Sequence, residues 1–349
     1  MANAVNYIRD YVSSPVPCKF RPIERTSIGV LEQACREVDA IFCKYQFLLP
    51  LIPQTEWRRV VLDGDDFEYR LLLQEAIEWP IRGYKMLSAL EAIRTWFYEQ
   101  RIFRRVAHTI ACSERDLARI RCKRKSVVRN GVDIPSRNIA NSIPDLRTIV
   151  MVGSFGYTPN VKGLKWFTQR VWPRVRDMEP EARLNVVGRG ATPEALPFAL
   201  ASGIHIVGPV ESTSEWFASA VGSVAPILAG SGTRIKIIES LACGRPVIST
   251  TLGAEGLERL DESVGVFRAD RASAMAKLIV NLLHTPSQSL EVGLRARKVV
   301  EAEFSWQVTT ATLADHMQAW IGNGDRFTGA ASALDERETL LRGSGPTRQ

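Results

Sequence analysis

Short apolar runs alternate with helix-spaced apolar positions along most of this chain. Ile28, Leu31, Ala34 and Cys35 lie at the spacing of one helix face, predicting a helix over 27–37. Ala40-Ile-Phe-Cys43 and Arg59-Val-Val-Leu62 have strand length, and the second runs into Asp63-Gly-Asp-Asp66. Apolar residues at 86, 90, 93, 97 and 103 predict a long helix over roughly 84–105. Thr109-Ile-Ala-Cys112 reads as a strand, after which Ser113 caps a helix with Asp116 three residues on. Ser126-Val-Val-Arg129 is a further short strand, ended by Asn130-Gly131.

Residues 136–147 are polar without a period and read as a linker. A second alternating half then begins. Strands are predicted at Thr148-Ile-Val-Met-Val152, Arg183-Leu-Asn-Val-Val187, Ile204-His-Ile-Val207, Pro246-Val-Ile-Ser-Thr250 and Val264-Gly-Val-Phe267. Val224-Ala-Pro-Ile-Leu228 is an apolar run leading into a glycine loop. Helices are predicted from about Val161 with Pro173 near the end, from a cap at Ser214, over 271–283, and from Phe304 onward. This alternation predicts an α/β fold with parallel sheets covered by helices on both faces. The domain layout is 1–135, a linker at 136–147, a second domain at 148–303, a crossing helix at 304–322 and a loose tail at 323–349.

Composition narrows the class. The 349 residues suit two domains, with 45% hydrophobic and 24% charged residues. No apolar run is long enough for a membrane span and no signal peptide opens the chain, which predicts a cytoplasmic protein. The six cysteines show no CxxC spacing and read as reduced thiols, and the four histidines form no metal pattern, so no metal and no cofactor is expected. The net charge is +7, and ten Lys or Arg residues crowd between Arg101 and Arg129. That stretch fits a solvated face, an anionic inner membrane surface or an anionic lipid-linked substrate. It lacks the aromatic interleaving of a nucleic-acid interface, and no nucleic acid is expected as a partner.

The richest chemistry lies in Ala229-Gly-Ser-Gly-Thr-Arg-Ile-Lys-Ile-Ile-Glu239. Gly230 and Gly232 let backbone approach a ligand closely. A helix starting near Thr233 directs unpaired N–H groups and a positive dipole end at that ligand, which favours an anion. Arg234 and Lys236 add charge there. Glu239, one turn further on, can accept hydrogen bonds from ribose hydroxyls. The same pattern also fits a plain helix start with solvated charges. Gly153, Gly188, Gly208 and Gly230 each follow a predicted strand, and ligands of open α/β sheets bind beyond the carboxyl ends of strands.

The order of motifs resembles a known family. Asn130-Gly-Val-Asp133, Met151-Val-Gly-Ser154 with Pro159-Asn160, Val187-Gly-Arg189, Val207-Gly-Pro-Val210, the run from Gly232 to Thr250 and Gly253-Ala-Glu-Gly256 are similar to retaining GT-B glycosyltransferases of family 4, glycosyl transferases group 1. Within that group the chain resembles sugar transferases of exopolysaccharide systems, over about 101–310. The resemblance implies two Rossmann-like domains facing across a cleft, with a nucleotide-sugar donor on the C-terminal domain and a saccharide or lipid-linked acceptor on the N-terminal one. It implies that Gly153 and Ser154 face the donor diphosphate, that Gly188 and Arg189 lie near the nucleoside, and that Val210 and Glu211 flank the base. It further implies that Gly232, Thr233, Arg234 and Lys236 face the phosphates, that Glu239 holds the ribose, and that the last helix braces the N-terminal domain.

The chain departs from the family pattern at several points. Ser231 stands where many relatives carry the first of two glutamates, Ser154 where many carry arginine, and Lys162 is the candidate for a family lysine. Where many relatives place a histidine, the chain has Asp63-Gly-Asp-Asp66. Asp63 and Asp65 are therefore acceptor-side candidates, or else belong to a turn. Nothing in Met1 to Arg21 resembles the family's opening strand and glycine loop, so the N-terminal domain is expected to be incomplete by about fifty residues. The expected reaction is sugar transfer with retention, the leaving diphosphate being stabilised by the helix end and the basic pair. A catalytically weak nucleotide-sugar-binding relative or partner subunit is the alternative, and a nucleotide-sugar epimerase a third.

Overall fold

A computed structural model of the chain describes residues 16–17, 28–65, 67–78, 82–136, 143–230 and 232–322. Residues up to Thr310 form one compact unit, and a second starts at Ala311. The first unit contains two parallel sheets.

The first sheet follows α1 (Ile28–Arg36) and has the order β1 (Ile41–Cys43), β2 (Val60–Asp63), β3 (His108–Ala111), β4 (Lys125–Val127), all parallel. Two 3-10 turns, Gln46–Leu51 and Gln54–Arg59, fill the β1–β2 connection, where the Trp57 ring nitrogen donates to the Ile52 carbonyl at 2.9 Å. Helices α2 (Glu68–Glu78) and α3 (Arg82–Arg105) pack against each other before β3. The core between sheet and helices holds Leu49, Trp57, Val60, Leu62, Phe67, Ile102 and Phe103. After β3 comes α4 (Glu114–Arg119), whose Ser113 hydroxyl accepts from the Asp116 N–H, as the capping pattern predicts.

The second sheet has six parallel strands. Its central strand β5 (Asp145–Val152) starts three residues before the expected position, so the predicted linker loses its last three residues to the strand. Ile149 and Met151 belong to one core cluster and Val150 and Val152 to another. Alternate side chains thus enter opposite layers, and a strand buried on both faces reads as a continuous apolar run. β6 (Arg183–Val187) and β7 (Ile204–Gly208) lie to one side, β8 (Ala220–Ala225), β9 (Val247–Ser249) and β10 (Val266–Arg268) to the other.

The helix after β5 differs from expectation. It runs as α5 (Thr158–Trp166), a π-turn at Phe167–Val171 and α6 (Trp172–Met178). Pro173 therefore lies within the helical run instead of ending it. A proline removes one backbone N–H and crowds the preceding turn, and the wider π-turn just before it absorbs both effects. Helix α7 (Ser214–Ser219) has Thr213, not Ser214, at its N-cap, without a side-chain cap. Next come α8 (Ile235–Ala242), α9 (Ala272–His284) and α10 (Pro286–Glu303), the last not expected from the sequence. The closing helix α11 is Trp306–Gly322. At its start, the Val132 N–H donates to the Phe304 carbonyl at 2.8 Å and Val132 bridges Ser305. Arg129 lies over the Phe304 ring, 5.7 Å from its centroid. The expected tail 323–349 and most of the expected incomplete stretch at 1–21 fall outside the described residues.

Candidate functional site at the carboxyl ends of the second sheet

The chain leaves the centre of the second sheet in two directions. From β5 it proceeds outward to β6 and β7, then returns to β8 beside β5 and continues to β9 and β10. The loops after β5 and β8 therefore diverge, and ligands of open α/β sheets enter at such a switch point.

Gly153 and Gly230 lie on those two loops, and a partly buried network joins the loop after β5 to helix α8, which follows Gly230. Lys236, in the first turn of α8, donates from Nζ to Asn160 Oδ1 at 2.7 Å. Asn160 donates from Nδ2 to the Ser154 carbonyl at 2.8 Å, so the amide orients the lysine and holds the loop after β5. A Cβ on Gly153 would lie 3.1 Å from both Lys236 Nζ and Asn160 Nδ2, which leaves bare backbone facing the ammonium. Gly188 adopts φ 134°, and a Cβ there would collide with the Gly153 carbonyl. The Gly153 N–H donates to Val187 and the Gly188 N–H to Gly208, at 3.0 and 2.7 Å, which stacks the three strand-end loops side by side.

Helix α8 begins at Ile235, two residues after the expected start, with Arg234 at the N-cap and no side-chain cap. Its first-turn N–H groups are thus not satisfied by a capping side chain, the arrangement that suits an anion. Arg234 Nη1 donates to the Gly232 carbonyl at 2.9 Å, so one arm of the expected phosphate fork braces its own loop. Burial lowers the Lys236 pKa to about 8; the neighbouring Arg234 charge also lowers it, and Glu239 raises it. Burial pushes the Glu239 carboxyl up, against the pull of Lys236 and with a further push from Asp133. Among the described residues no hydrogen bond reaches the Glu239 carboxylate, and it keeps accepting capacity for hydroxyl groups.

Other sequence candidates are placed less centrally. Ser154 is exposed and contributes its carbonyl to Asn160. Arg189 is exposed, and its carbonyl accepts from the Phe155 N–H at 2.7 Å. Val210 and Glu211 follow β7 at the outer edge of the sheet, Val210 packing on the cluster of Val187 and Phe217. Among the described residues no hydrogen bond or ion pair joins either of them to the Gly153–Lys236 network. Ser231 lies outside the described residues, as does Asp66.

Contacts from the first sheet complete the site, and sequence reasoning missed most of them. Gln74 on α2 pairs reciprocally with Gly230: its Nε2 donates to the Gly230 carbonyl at 3.1 Å, and its Oε1 accepts from the Gly230 N–H at 2.7 Å. One turn earlier, Arg70 donates to both Glu255 oxygens at 3.1 and 3.0 Å. Arg115 and Arg119 on α4 also reach Glu255, at 3.0 and 2.5 Å. Burial alone would raise the Glu255 carboxyl, but Arg119 and Arg70 hold it below the usual range. Thr233 Oγ1 donates to Cys112 Sγ at 3.3 Å. Burial pushes the Cys112 thiol well up, and Asp65 and Asp116 add to this. Asp65, an acceptor-side candidate, accepts from Asn130 Nδ2 at 3.3 Å and so ties the end of β2 to the Asn130-Gly-Val-Asp133 turn. Asp63 ends β2 half-buried.

Part of the sequence, and the fold, match known proteins. Residues 146–285 match the family of glycosyl transferases group 1. The chain is 26% identical over 162 residues to a GDP-mannose-dependent monoacylated alpha-(1-6)-phosphatidylinositol monomannoside mannosyltransferase of Corynebacterium glutamicum, covering 43% of this chain and 42% of that protein. It is 26% identical over 219 residues to a phosphatidyl-myo-inositol mannosyltransferase of Mycolicibacterium smegmatis, covering 59% and 55%. The chain thus spans about half the length of the curated relatives it matches. Among solved structures, it resembles a sucrose-phosphate synthase from Thermosynechococcus elongatus, with TM-score 0.64 and 17% identity over 82% of this chain and 75% of that one. It also resembles Anabaena HepE in complex with UDP, with TM-score 0.63 and 15% identity over 84% and 82%. These structures share its fold: two parallel-sheet α/β domains of the GT-B kind.

Proposed function

We propose that this chain, whose residues 146–285 are a glycosyl transferases group 1 domain, transfers a sugar from a nucleotide-diphosphate sugar to a saccharide or lipid-linked acceptor with retention of anomeric configuration. The observation that carries the proposal is the Gly153–Asn160–Lys236 network at the switch point, where an ammonium faces bare backbone beside an uncapped helix start. That arrangement supplies positive potential where a leaving diphosphate gains charge. Glu239 would take the donor ribose, and Gly188 and Arg189 would lie along the nucleoside. In a retaining reaction the acceptor attacks from the face the diphosphate leaves, so a leaving phosphate oxygen can take the acceptor proton. No separate side-chain base is then required.

The two mannosyltransferase relatives act, by name, on a phosphatidylinositol monomannoside and on phosphatidyl-myo-inositol, which favours a lipid-linked acceptor over an exopolysaccharide chain. GDP-mannose is accordingly the first donor to test, and UDP-sugars the second, because HepE binds UDP. The layout of residues 1–135 as acceptor domain and 148–303 as donor domain belongs to the same proposal. The test is release of nucleoside diphosphate from GDP-mannose or UDP-glucose, with and without a polar lipid extract. Acceptor-stimulated release that disappears in the Lys236→Ala, Glu239→Ala double variant supports the proposal. Undiminished release by that variant overturns the site assignment.

A further inference from the structure

The long helix α3 carries a face that nothing in the described structure covers. Met86, Leu90, Ile93 and Phe97 are 64, 42, 52 and 63% exposed. At about 100° per residue they fall within a stripe roughly 60° wide. Water-facing helix stripes in a globular domain are normally polar, so four large apolar residues in line mark a contact surface.

The charges around the stripe state what it fits. The two carboxylates of α3, Glu91 and Glu99, are both buried. Its exposed charged residues include Lys85, Arg101, Arg104 and Arg105, all cationic. Beyond the C-terminal end of the stripe lies a cavity of about 760 Å³ lined by Phe103, Arg104, Arg121, Lys123 and Arg124, among others. Stripe and cavity are continuous: Phe97 packs edge-on against Trp96 at 4.8 Å, and Arg121 lies 4.8 Å over the Trp96 ring. Among the described residues, an apolar seam flanked along α3 and at the cavity by cationic side chains is complementary to a surface that is anionic at headgroup level and apolar beneath. Among the described residues no helix is long and apolar enough to cross a membrane, so the contact lies on the bilayer surface.

We propose that this face docks on an anionic lipid bilayer. Met86, Leu90, Ile93 and Phe97 enter the acyl boundary, while Arg101, Arg104, Arg121, Lys123 and Arg124 meet lipid phosphates. The inference deepens the glycosyltransferase reading by placing the chain on the kind of surface that carries a lipid-linked acceptor, and rests on that reading for its purpose. Its test does not require turnover.

The test is flotation of the full chain with phosphatidylcholine vesicles, or with the same vesicles containing three-tenths phosphatidylglycerol, at 0.1 M salt. The protein floats with the anionic vesicles and not with the neutral ones. Each cationic residue near such a surface contributes about fivefold to binding. Arg104→Glu with Lys123→Glu therefore lowers the bound fraction by tenfold or more, and higher salt does the same. Ile93→Asn with Phe97→Ser also abolishes flotation while leaving the thermal midpoint and nucleotide-sugar binding unchanged. Equal binding to both vesicle types, or full binding by either variant, overturns the proposal. A dimer in vesicle-free solution that Phe97→Ser dissociates overturns it in favour of a second copy as occupant. Loss of nucleotide-sugar binding in wild-type protein that still floats would refute the donor reading alone.

Discussion

Replacing Lys236 with methionine separates a binding role from a structural one. The change keeps length and apolar bulk and removes only the ammonium. In the folded protein that ammonium is already partly stripped of water, which lowers its pKa to about 8. Among the described residues its hydrogen bond goes to Asn160. Removing it relieves the desolvation and gives up that bond, so stability changes by no more than about 1 kcal/mol. Ligand binding behaves differently. A unit charge about 4 Å from a phosphate is worth ~4 kcal/mol at an effective dielectric of 20, and a charge-assisted hydrogen bond nets about 1.5–3 kcal/mol. Taking about 2–3 kcal/mol, donor affinity falls about 30- to 140-fold. Titration calorimetry with GDP-mannose and UDP-glucose reads the affinity, and urea unfolding reads the stability. The ionisation adds a second signature. The ammonium is charged below about pH 8 and neutral above it, so wild-type affinity weakens as pH rises through 8 and the variant loses that slope. Unchanged affinity in Lys236→Met, or a large loss of stability with affinity preserved, would refute the reasoning.

Three further outcomes follow from the geometry. Gly188→Ala places a Cβ at φ 134° against the Gly153 carbonyl and costs about 2–4 kcal/mol in urea unfolding. Glu255→Gln leaves Arg70, Arg115 and Arg119 without their shared carboxylate and costs about 3 kcal/mol. Because the Glu255 carboxyl is held below its ordinary value, its contribution is complete above about pH 4.5 and lost as pH falls through the folded value. The wild-type advantage over the variant therefore shrinks in acid, as parallel unfolding curves at pH 7 and pH 3.5 will show. Gln74→Ala removes two hydrogen bonds from Gly230 and weakens donor binding about fivefold or more, without touching the donor itself; calorimetry reads this directly.

Local pattern revealed the second sheet well, because its central strands are buried on both faces and read as unbroken apolar runs, and β5, β6 and β7 end at or just before a glycine. Helix α10 escaped notice because charged residues dilute its period and Gly293 interrupts it. That glycine is there for packing: a Cβ would collide with the Gly244 carbonyl. Helix α2 was equally unmarked after Asp63-Gly-Asp-Asp66, although it supplies both Arg70 and Gln74. The cationic residues before and within the first turn of α8 were legible from charge beside glycine. Their partners were not, since Asn160 lies 76 residues from Lys236 and Gln74 lies 156 from Gly230. Contacts at such separations follow from topology, and no local signal announces them. Asn160 alone has a local signal, as the residue after Pro159 in the Pro159-Asn160 pair.

The central claim is that the crevice between the loops after β5 and β8 holds a nucleoside diphosphate. A crystal structure of the full chain with GDP or UDP tests it most directly. The diphosphate is expected against Gly153 and the start of α8, within hydrogen-bond reach of Lys236 Nζ, with Glu239 on the ribose. A nucleotide bound elsewhere, with Lys236 still held only by Asn160, would contradict it.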